Sequence, residues 1–404
     1  MTALGGRPSA TPPPEATGGA EAPREVDVVV LGGGVVGSSC AWQLARRGRS
    51  VAVCDGDPTR GAWAVAAGML APGSELRHGG EDVHALSLAA ARGFEQYVAA
   101  VLEDSGASAR TDLGHRRTGS LALAGDVDDR AVLDDVLELQ RALGLSAERL
   151  GARACRRLEP HLDPGIAGGV LVEDDHQVDP RRLVAALRTA AGRRGAVAVR
   201  QDASVLVEDG RAVGVRLPGG REIRSGVVVL ATGAWSGLVD GVPDDALPPV
   251  HPVKGQIMRL AMPAGDPLLT RVVRATVRGR PVYLVPREDG ELVLGATTED
   301  AGFDRTVTAG AVHDLLRDAA AVLPGTSECE LVEVQARPRP GSPDDLPLVG
   351  ATGVPGLLLA TGHARNGVLL SGLTGQVVAG LVTGDGVPDV AALADPTRFR
   401  KDSP

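Results

Sequence analysis

A glycine pattern set between a strand and a helix narrows the fold of this chain more than any other feature. Residues 26–31 form a short β-branched run, and Gly32-Gly33-Gly34-Val35-Val36-Gly37 follows at once. Cys40, Ala41, Leu44 and Ala45 then keep helical spacing up to Gly48, a natural residue just past a helix end. The run 51–54 reads as the next strand and leads into Asp55. Strand, turn, helix and strand within about 30 residues make a βαβ unit. Gly32, Gly34 and Gly37 match G-x-G-x-x-G. The first glycine permits the tight turn, the second lets backbone N–H groups approach a pyrophosphate, and the third allows close helix–strand packing. The helix N-terminus turns its partial positive charge toward that anion. Asp55, 23 positions after Gly32, can accept hydrogen bonds from ribose hydroxyls and would repel a 2′-phosphate, which disfavours NADP.

At 404 residues the chain is too long for one ordinary core and suits two interleaved domains. A net charge of −9 argues against nucleic acid and against a polybasic membrane patch. Residues 1–25, rich in Pro, Ala, Gly and Thr without an apolar stretch, read as a disordered tail rather than a secretory signal. No apolar run reaches the roughly 20 residues a membrane helix needs; Ser371, Thr374 and Gln376 interrupt the nearest, 367–382. Cys40, Cys54, Cys155 and Cys329 form no metal-ligand spacing, and Cys40 and Cys54 read as small buried thiols. A reduced, cytoplasmic protein without a metal is expected.

Helices are expected over 85–102, 130–143 and 307–323, and another from Asp179-Pro180 through Ala191, where Asp is the N-cap and Pro the first helical residue. Strands are expected at 119–124, 168–173, 197–199, 203–207, 212–217, 227–231, 250–260, 281–286, 291–295 and 357–360, with Gly219-Gly220 as a hairpin signal. A Gly-rich turn at 361–367 precedes a last apolar helix. Strands of two sheets alternate along the chain. The fold class is therefore α/β (α+β): a Rossmann-type dinucleotide domain over 26–86, 179–244 and 337–395, and an antiparallel-sheet substrate domain over 87–178 and 245–336.

The glycine motif alone does not separate FAD from NAD. The apolar strand ending in Ala231-Thr232-Gly233-Ala234-Trp235-Ser236 comes about 200 residues after the motif, whereas an NAD domain would normally complete its fold contiguously. Six segments in order carry a resemblance: the glycine-motif βα unit, Ala66–Leu70 (AAGML), VVVLATGAWS, PVKGQ (252–256), YLVPR (283–287), and ARPRPGSPDDLPLVG with GHARNGVLL. With these the chain resembles the D-amino-acid oxidase-like FAD-dependent amine oxidoreductases over about 26–395, and within them it looks most like the glycine oxidases of thiamine biosynthesis.

The resemblance implies non-covalent FAD. Gly32, Gly34, Val36, Gly37 and Asp55 would hold its ADP half, Val205 would meet the adenine through its backbone, and Ala67, Gly233 and Trp235 would border it. Gly362, Asn366, Gly367, Val368 and Leu369 would lie near the isoalloxazine, where a helix N-terminus stabilises the reduced ring. The family's polar residues before AAGM are replaced here by Ala62-Trp63-Ala64, so their pyrophosphate contacts must come from elsewhere; Ala364 stands where relatives often carry an aromatic.

On the same pattern Arg339 would clamp a substrate carboxylate, with Arg337 as a competitor, and the Tyr283 hydroxyl would assist. Carbonyls of Gly68 and Arg365 would meet the amine, and Met69 would line the pocket. Sarcosine oxidases carry a Lys at the position of Val293 and attach flavin through a Cys after the R-P segment; 341–350 contains none. Lys254 reads as a solvated strand-end Lys, with a charge near the flavin as its other role. The implied reaction is oxidation of glycine, sarcosine or a small D-amino acid, with O2 reduced to H2O2. Implied partners are a thiazole synthase with its sulfur carrier, and other copies in a tetramer. A D-amino-acid dehydrogenase with a quinone acceptor, or a sarcosine/amine oxidase, is the alternative.

Overall fold

The computed structural model describes residues 22–106, 113–243, 246–265 and 267–399. Of the expected tail, residues 1–21 lie outside these, and Glu25 already opens the first strand. Two eight-stranded sheets dominate. The first runs in space as Leu348–Ala351, Leu357–Thr361, Glu222–Leu230, Glu25–Leu31, Val51–Cys54 and Val197–Val199, with the hairpin of Ser204–Glu208 and Arg211–Arg216 attached to Glu222–Leu230. The pairings around Glu25–Leu31 are parallel. Val28 and Val30 face a helical layer while Val29 and Leu31 face the opposite side, so the strand is buried on both faces and reads as an unbroken apolar run.

Val35–Arg46, Glu81–Ser105, Pro180–Arg193 and Gly367–Thr383 form that helical layer. Gly372 and Gly375 let the last helix approach closely: a β-carbon there would stand 3.0 Å from the Tyr97 ring or 2.6 Å from Ser39 Oγ. Trp42, Phe94 and Tyr97 pack edge to face within the layer, and the Trp42 indole donates to Asp104 at 2.9 Å. The Asp179 carboxylate caps Pro180–Arg193 by accepting from the N–H groups of Arg181 and Arg182.

The second sheet runs as Glu330–Gly341, His251–Ala261, Glu291–Gly295, Arg280–Pro286, Val272–Val277, Ser120–Ala124, Gly168–Val172 and Ala147–Leu150. It is antiparallel except where Val272–Val277 lies alongside Ser120–Ala124. The helix Ala309–Val322 closes its back, and Val127–Ala142 packs through Leu133 and Leu137 on Ala122, Val170 and Val172 at the far end of its front. The strand Glu330–Gly341 is absent from the sequence-based pattern, because Pro338 and Pro340 argue against a strand interior. It lies at the sheet edge, where one side needs no ladder hydrogen bond and proline is tolerated. By strand pairing it carries Arg339 on the antiparallel sheet, past the division expected at 336/337. No helix among the described residues is long and apolar enough to cross a membrane.

Candidate active site

A cavity of about 350 Å³ runs from the glycine loop to the front of the antiparallel sheet. At one end lie Gly32, Gly34 and Val36. Gly32 has φ +96°, and a β-carbon there would stand 2.5 Å from the Ala231 carbonyl oxygen. At Gly37 a β-carbon would stand 1.9 Å from the Gly32 oxygen, so this glycine packs behind the loop rather than lining it. The Gly33 carbonyl is pinned by Ser38 Oγ at 2.9 Å and by Arg188 at 2.6 and 3.2 Å. The Gly33 N–H donates to Asp55 Oδ2 at 2.8 Å. The unpaired N–H groups that open the helix Val35–Arg46 stand at the cavity edge. Asp55 lines the cavity too; burial pushes its carboxyl up, while the Gly33 N–H and the Arg60 and Arg188 charges pull it down.

Ala62-Trp63-Ala64 is a single turn. Its Trp63 ring lies over Gly34, 3.1 Å from where a β-carbon would be, and Arg188 stacks on that ring at 5.1 Å. Arg60 also lines the cavity, held by Asp202 at 2.8 Å and placed over the Trp235 ring at 5.4 Å. No sequence pattern singled out Arg60 or Arg188, because their roles depend on contacts more than 120 residues away.

Gly233, Trp235, Gly367 and Val368 line the middle of the cavity. The Gly233 carbonyl accepts from Thr361 Oγ1 at 2.9 Å and Ser236 Oγ at 2.8 Å. Gly362, Asn366 and Leu369 stand just behind the lining: Gly362 turns at φ +74° against Leu348, Asn366 stands at the N-cap position of the last helix without a side-chain cap bond, and Leu369 is buried core. His363 lines the cavity, shares a hydrogen with Thr374 Oγ1 at 2.8 Å, and is pushed down to about 4 by burial, so its ring is neutral. Val205 lies elsewhere. Its side chain sits in the outer hairpin core and its N–H already donates to Asp240 O at 2.8 Å, so that donor is not open to an adenine.

At the substrate end, strand register sets the wall. Ala122, Arg274, Tyr283, Gly295 and Ile257 are paired in a row across the sheet and so share its front face. Further along, Gly255 pairs with Arg337 and Val253 with Arg339, which puts both arginines on that face. Two glycines clear space for the side chains lying over it. A β-carbon on Gly295 would stand 2.5 Å from the Tyr283 hydroxyl oxygen, and one on Gly255 would stand 2.4 Å from the Arg339 guanidinium. Arg339 Nη1 donates to Thr297 O at 3.1 Å, and Arg365 Nη2 to Thr298 Oγ1 at 3.2 Å. Burial pushes the Tyr283 phenol up, with Arg339 beside it pulling the other way, so the hydroxyl remains a donor. Arg337 also lines the cavity, with its Nε buried and unpartnered.

Ala67, Gly68 and Met69 face this wall. Gly68 turns at φ +75°, and a β-carbon there would stand 2.0 Å from Val178 O. The buried Arg287 holds the segment by donating to Ala67 O, to Val178 O at 3.2 Å and to Gln177 Oε1 at 2.8 Å. Glu75 enters the cavity and pairs with Arg274 at 2.7 Å; neither residue was singled out by motif. The buried Asp175 fixes Glu75 by accepting from Gly73 N, Ser74 N and Ser120 Oγ.

Lys254 corrects the sequence-based expectation of a solvated strand end. It is 1% exposed, its ammonium lies 2.6 Å from Asp304 and 3.5 Å from Glu299, and it is not part of the cavity wall. Val293 belongs to the small apolar cluster packed against Tyr283 and Met69.

A sequence profile described as FAD dependent oxidoreductase (DAO) matches residues 27–381. The chain belongs to this family. FAD is its cofactor, and the glycine cradle, the helix N-terminus and Asp55 have the donor and acceptor set that the ADP half of FAD requires. The chain is 33% identical over 361 residues to the bifunctional protein ThiO/ThiG of Nostoc sp., covering 88% of this chain but only about half, 52%, of that protein's length. It is 33% identical to glycine oxidase of Geobacillus kaustophilus, covering 88% of this chain and 92% of that one. The crystal structure of that glycine oxidase superposes with a TM-score of 0.85 at 31% identity, covering 94% and 100% of the two chains. The hydrogen cyanide synthase subunit HcnC of Pseudomonas aeruginosa is 30% identical, with 91% and 95% covered. The chain is thus an FAD-dependent, glycine-oxidase-like oxidoreductase.

Proposed function

We propose that the enzyme oxidises glycine, and by extension other small amino acids, to the imine, which water hydrolyses to glyoxylate and ammonia while O2 is reduced to H2O2. The observation that carries this is the placing of Arg339 and Tyr283 on one sheet face, opposite the turn that holds Gly68 and Met69. FAD, bound without a covalent link, supplies the two-electron acceptor. Gly32, Gly34, Val36 and Asp55 would hold its ADP half, with Gly37 packed behind the loop; Trp63 and Arg60 would border the phosphates, and the N-terminus of Gly367–Thr383 would stabilise the reduced ring.

Arg339 takes the substrate carboxylate in a two-pronged hydrogen bond, and the Tyr283 hydroxyl donates to the same group. Carbonyls of Gly68 and Arg365 accept from the amine, and Met69 closes the side. No acid–base side chain is required; the amine reacts as the free base and positioning carries the rate. The names of the ThiO/ThiG relatives support a place in thiamine thiazole formation, with a thiazole synthase consuming the imine.

A second possibility has one supporting observation: HcnC, matched over nearly its whole length, is a subunit of a larger synthase. In that case electrons pass to an acceptor other than O2. Anaerobic titration with glycine, followed at the visible flavin band, tests both. Bleaching with fast recovery and peroxide on admitting air supports the oxidase. Bleaching with slow recovery and fast dye reduction supports the other acceptor, and a flavin untouched by glycine removes glycine as substrate.

A further inference from the structure

We propose that the preferred substrate carries an apolar substituent larger than a methyl group, housed in an arm of the cavity beyond the carboxylate clamp. This rests on the amine-oxidising function proposed above and specifies its substrate class. The arm follows from strand register. Arg274 pairs with Tyr283, and two residues along the same strands Thr276 pairs with Pro281 on the same sheet face. Ala122 pairs with Arg274 from the other side. Facing them are Val132, Leu133 and Val136 of the helix Val127–Ala142, and the six residues Ala122, Thr276, Pro281, Val132, Leu133 and Val136 form the arm of the cavity that Arg339 and Tyr283 line.

None of the six carries a charge, and the Thr276 hydroxyl is the one polar side-chain group among them. Leu133 is anchored by packing with Ala122, while Val132 is 61% exposed, so the wall is apolar and open to water on one side. At the mouth of the arm, Arg274 is already neutralised by Glu75 at 2.7 Å and offers no uncompensated charge to a second carboxylate. Glycine held by Arg339 and Tyr283 ends at the clamp and leaves this surface wet. A substituent on the α-carbon or on the nitrogen exchanges that water for apolar contact, and an apolar group that fits its pocket is worth about tenfold or more in kcat/KM.

The test compares glycine, D-leucine and N-benzylglycine on the FAD-loaded enzyme, by flavin reduction and by steady-state kcat/KM. At least one of the two larger substrates is expected to exceed glycine about tenfold; D-leucine marks a substituent on carbon and N-benzylglycine one on nitrogen. Thr276→Trp and Val136→Trp, filling the arm from opposite walls, are each expected to abolish that advantage while glycine kinetics and flavin content stay unchanged. The proposal is overturned if glycine reduces the flavin as well as or better than both larger amines. It is equally overturned if the Trp variants slow glycine in proportion, which would make the arm an entry route. If none of the three reduces the flavin, the amine-oxidase function itself fails, and the substrate class with it.

Discussion

Gly255 has no chemistry of its own, yet the Arg339 guanidinium lies where its β-carbon would be, 2.4 Å away. Gly255→Ala is therefore expected to push the guanidinium off the sheet and raise KM for glycine about tenfold, since displacements near 1 Å at a positioned group carry large rate penalties. Flavin content should stay unchanged, because the dinucleotide end of the cavity is remote from this residue; steady-state KM and the flavin-to-protein absorbance ratio check both halves. Arg339→Ala removes the clamp itself. A charged hydrogen-bonded pair contributes about 1.5–3 kcal/mol, so KM should rise at least about tenfold, and an unchanged KM would take Arg339 out of the clamp.

Among the elements, the stretch after Glu291–Gly295 links the two faces of the sheet. Thr297 O holds Arg339, Thr298 Oγ1 holds Arg365, and Phe303 packs on Trp235 at 5.5 Å. The same stretch is fastened at the back. Lys254 and Glu299 exchange two backbone hydrogen bonds, and the Lys254 ammonium bonds Asp304. The Gln256 amide group joins Glu299 and Thr308. Lys254 thus acts through the stretch 296–308 rather than on the substrate. Lys254→Met should raise KM for glycine more than it lowers kcat and should lower the melting temperature, with Lys254→Arg recovering part of both. A fall in kcat at unchanged KM would contradict this role.

For the whole molecule, buried polar groups tie the two sheets together alongside the apolar cluster of Val65, Ala67, Ile257, Val272, Val285 and Val293. Arg287 reaches from the antiparallel sheet to Ala67 O, and Asp175 ties the Gly73 segment to Ser120. Such an assembly is sensitive to acid through its histidines. Burial lowers His84, His115 and His363, the last from 6.5 to about 4. Between those two values the unfolded chain binds a proton at His363 and the folded one does not, so stability falls as pH falls from 6.5 toward 4 and loses nothing more from this residue below that. The His363 share is on the order of a few kcal/mol. His363→Gln should flatten the pH dependence of urea unfolding in this window, and an unchanged slope would mean that His363 is protonated in the folded protein.

The sequence by itself determined the βαβ unit, because Gly32, Gly34 and Gly37 lie within one turn and one helix, flanked at once by the apolar strands that complete the pattern. It also determined the Asp179 cap and most strands with alternating or β-branched runs, since these signals are local. It marked Tyr283, Arg339 and Met69 through short motifs whose order along the chain is specific. Tertiary structure alone decided the rest. Glu330–Gly341 became a strand because an edge tolerates its prolines. Trp63 and Arg188 came to the glycine loop, Arg60 to Asp202 and Trp235, and Glu75 to Arg274, through contacts that only the packed chain brings about. Lys254 became a buried anchor because two carboxylates from a later loop fold over it. The arm beside Thr276 exists only where a helix and two strands meet. Local backbone geometry and short motifs can be read from neighbouring residues; the partner of a charge, and the shape of the space between two sheets, are set only when distant parts of the chain pack together.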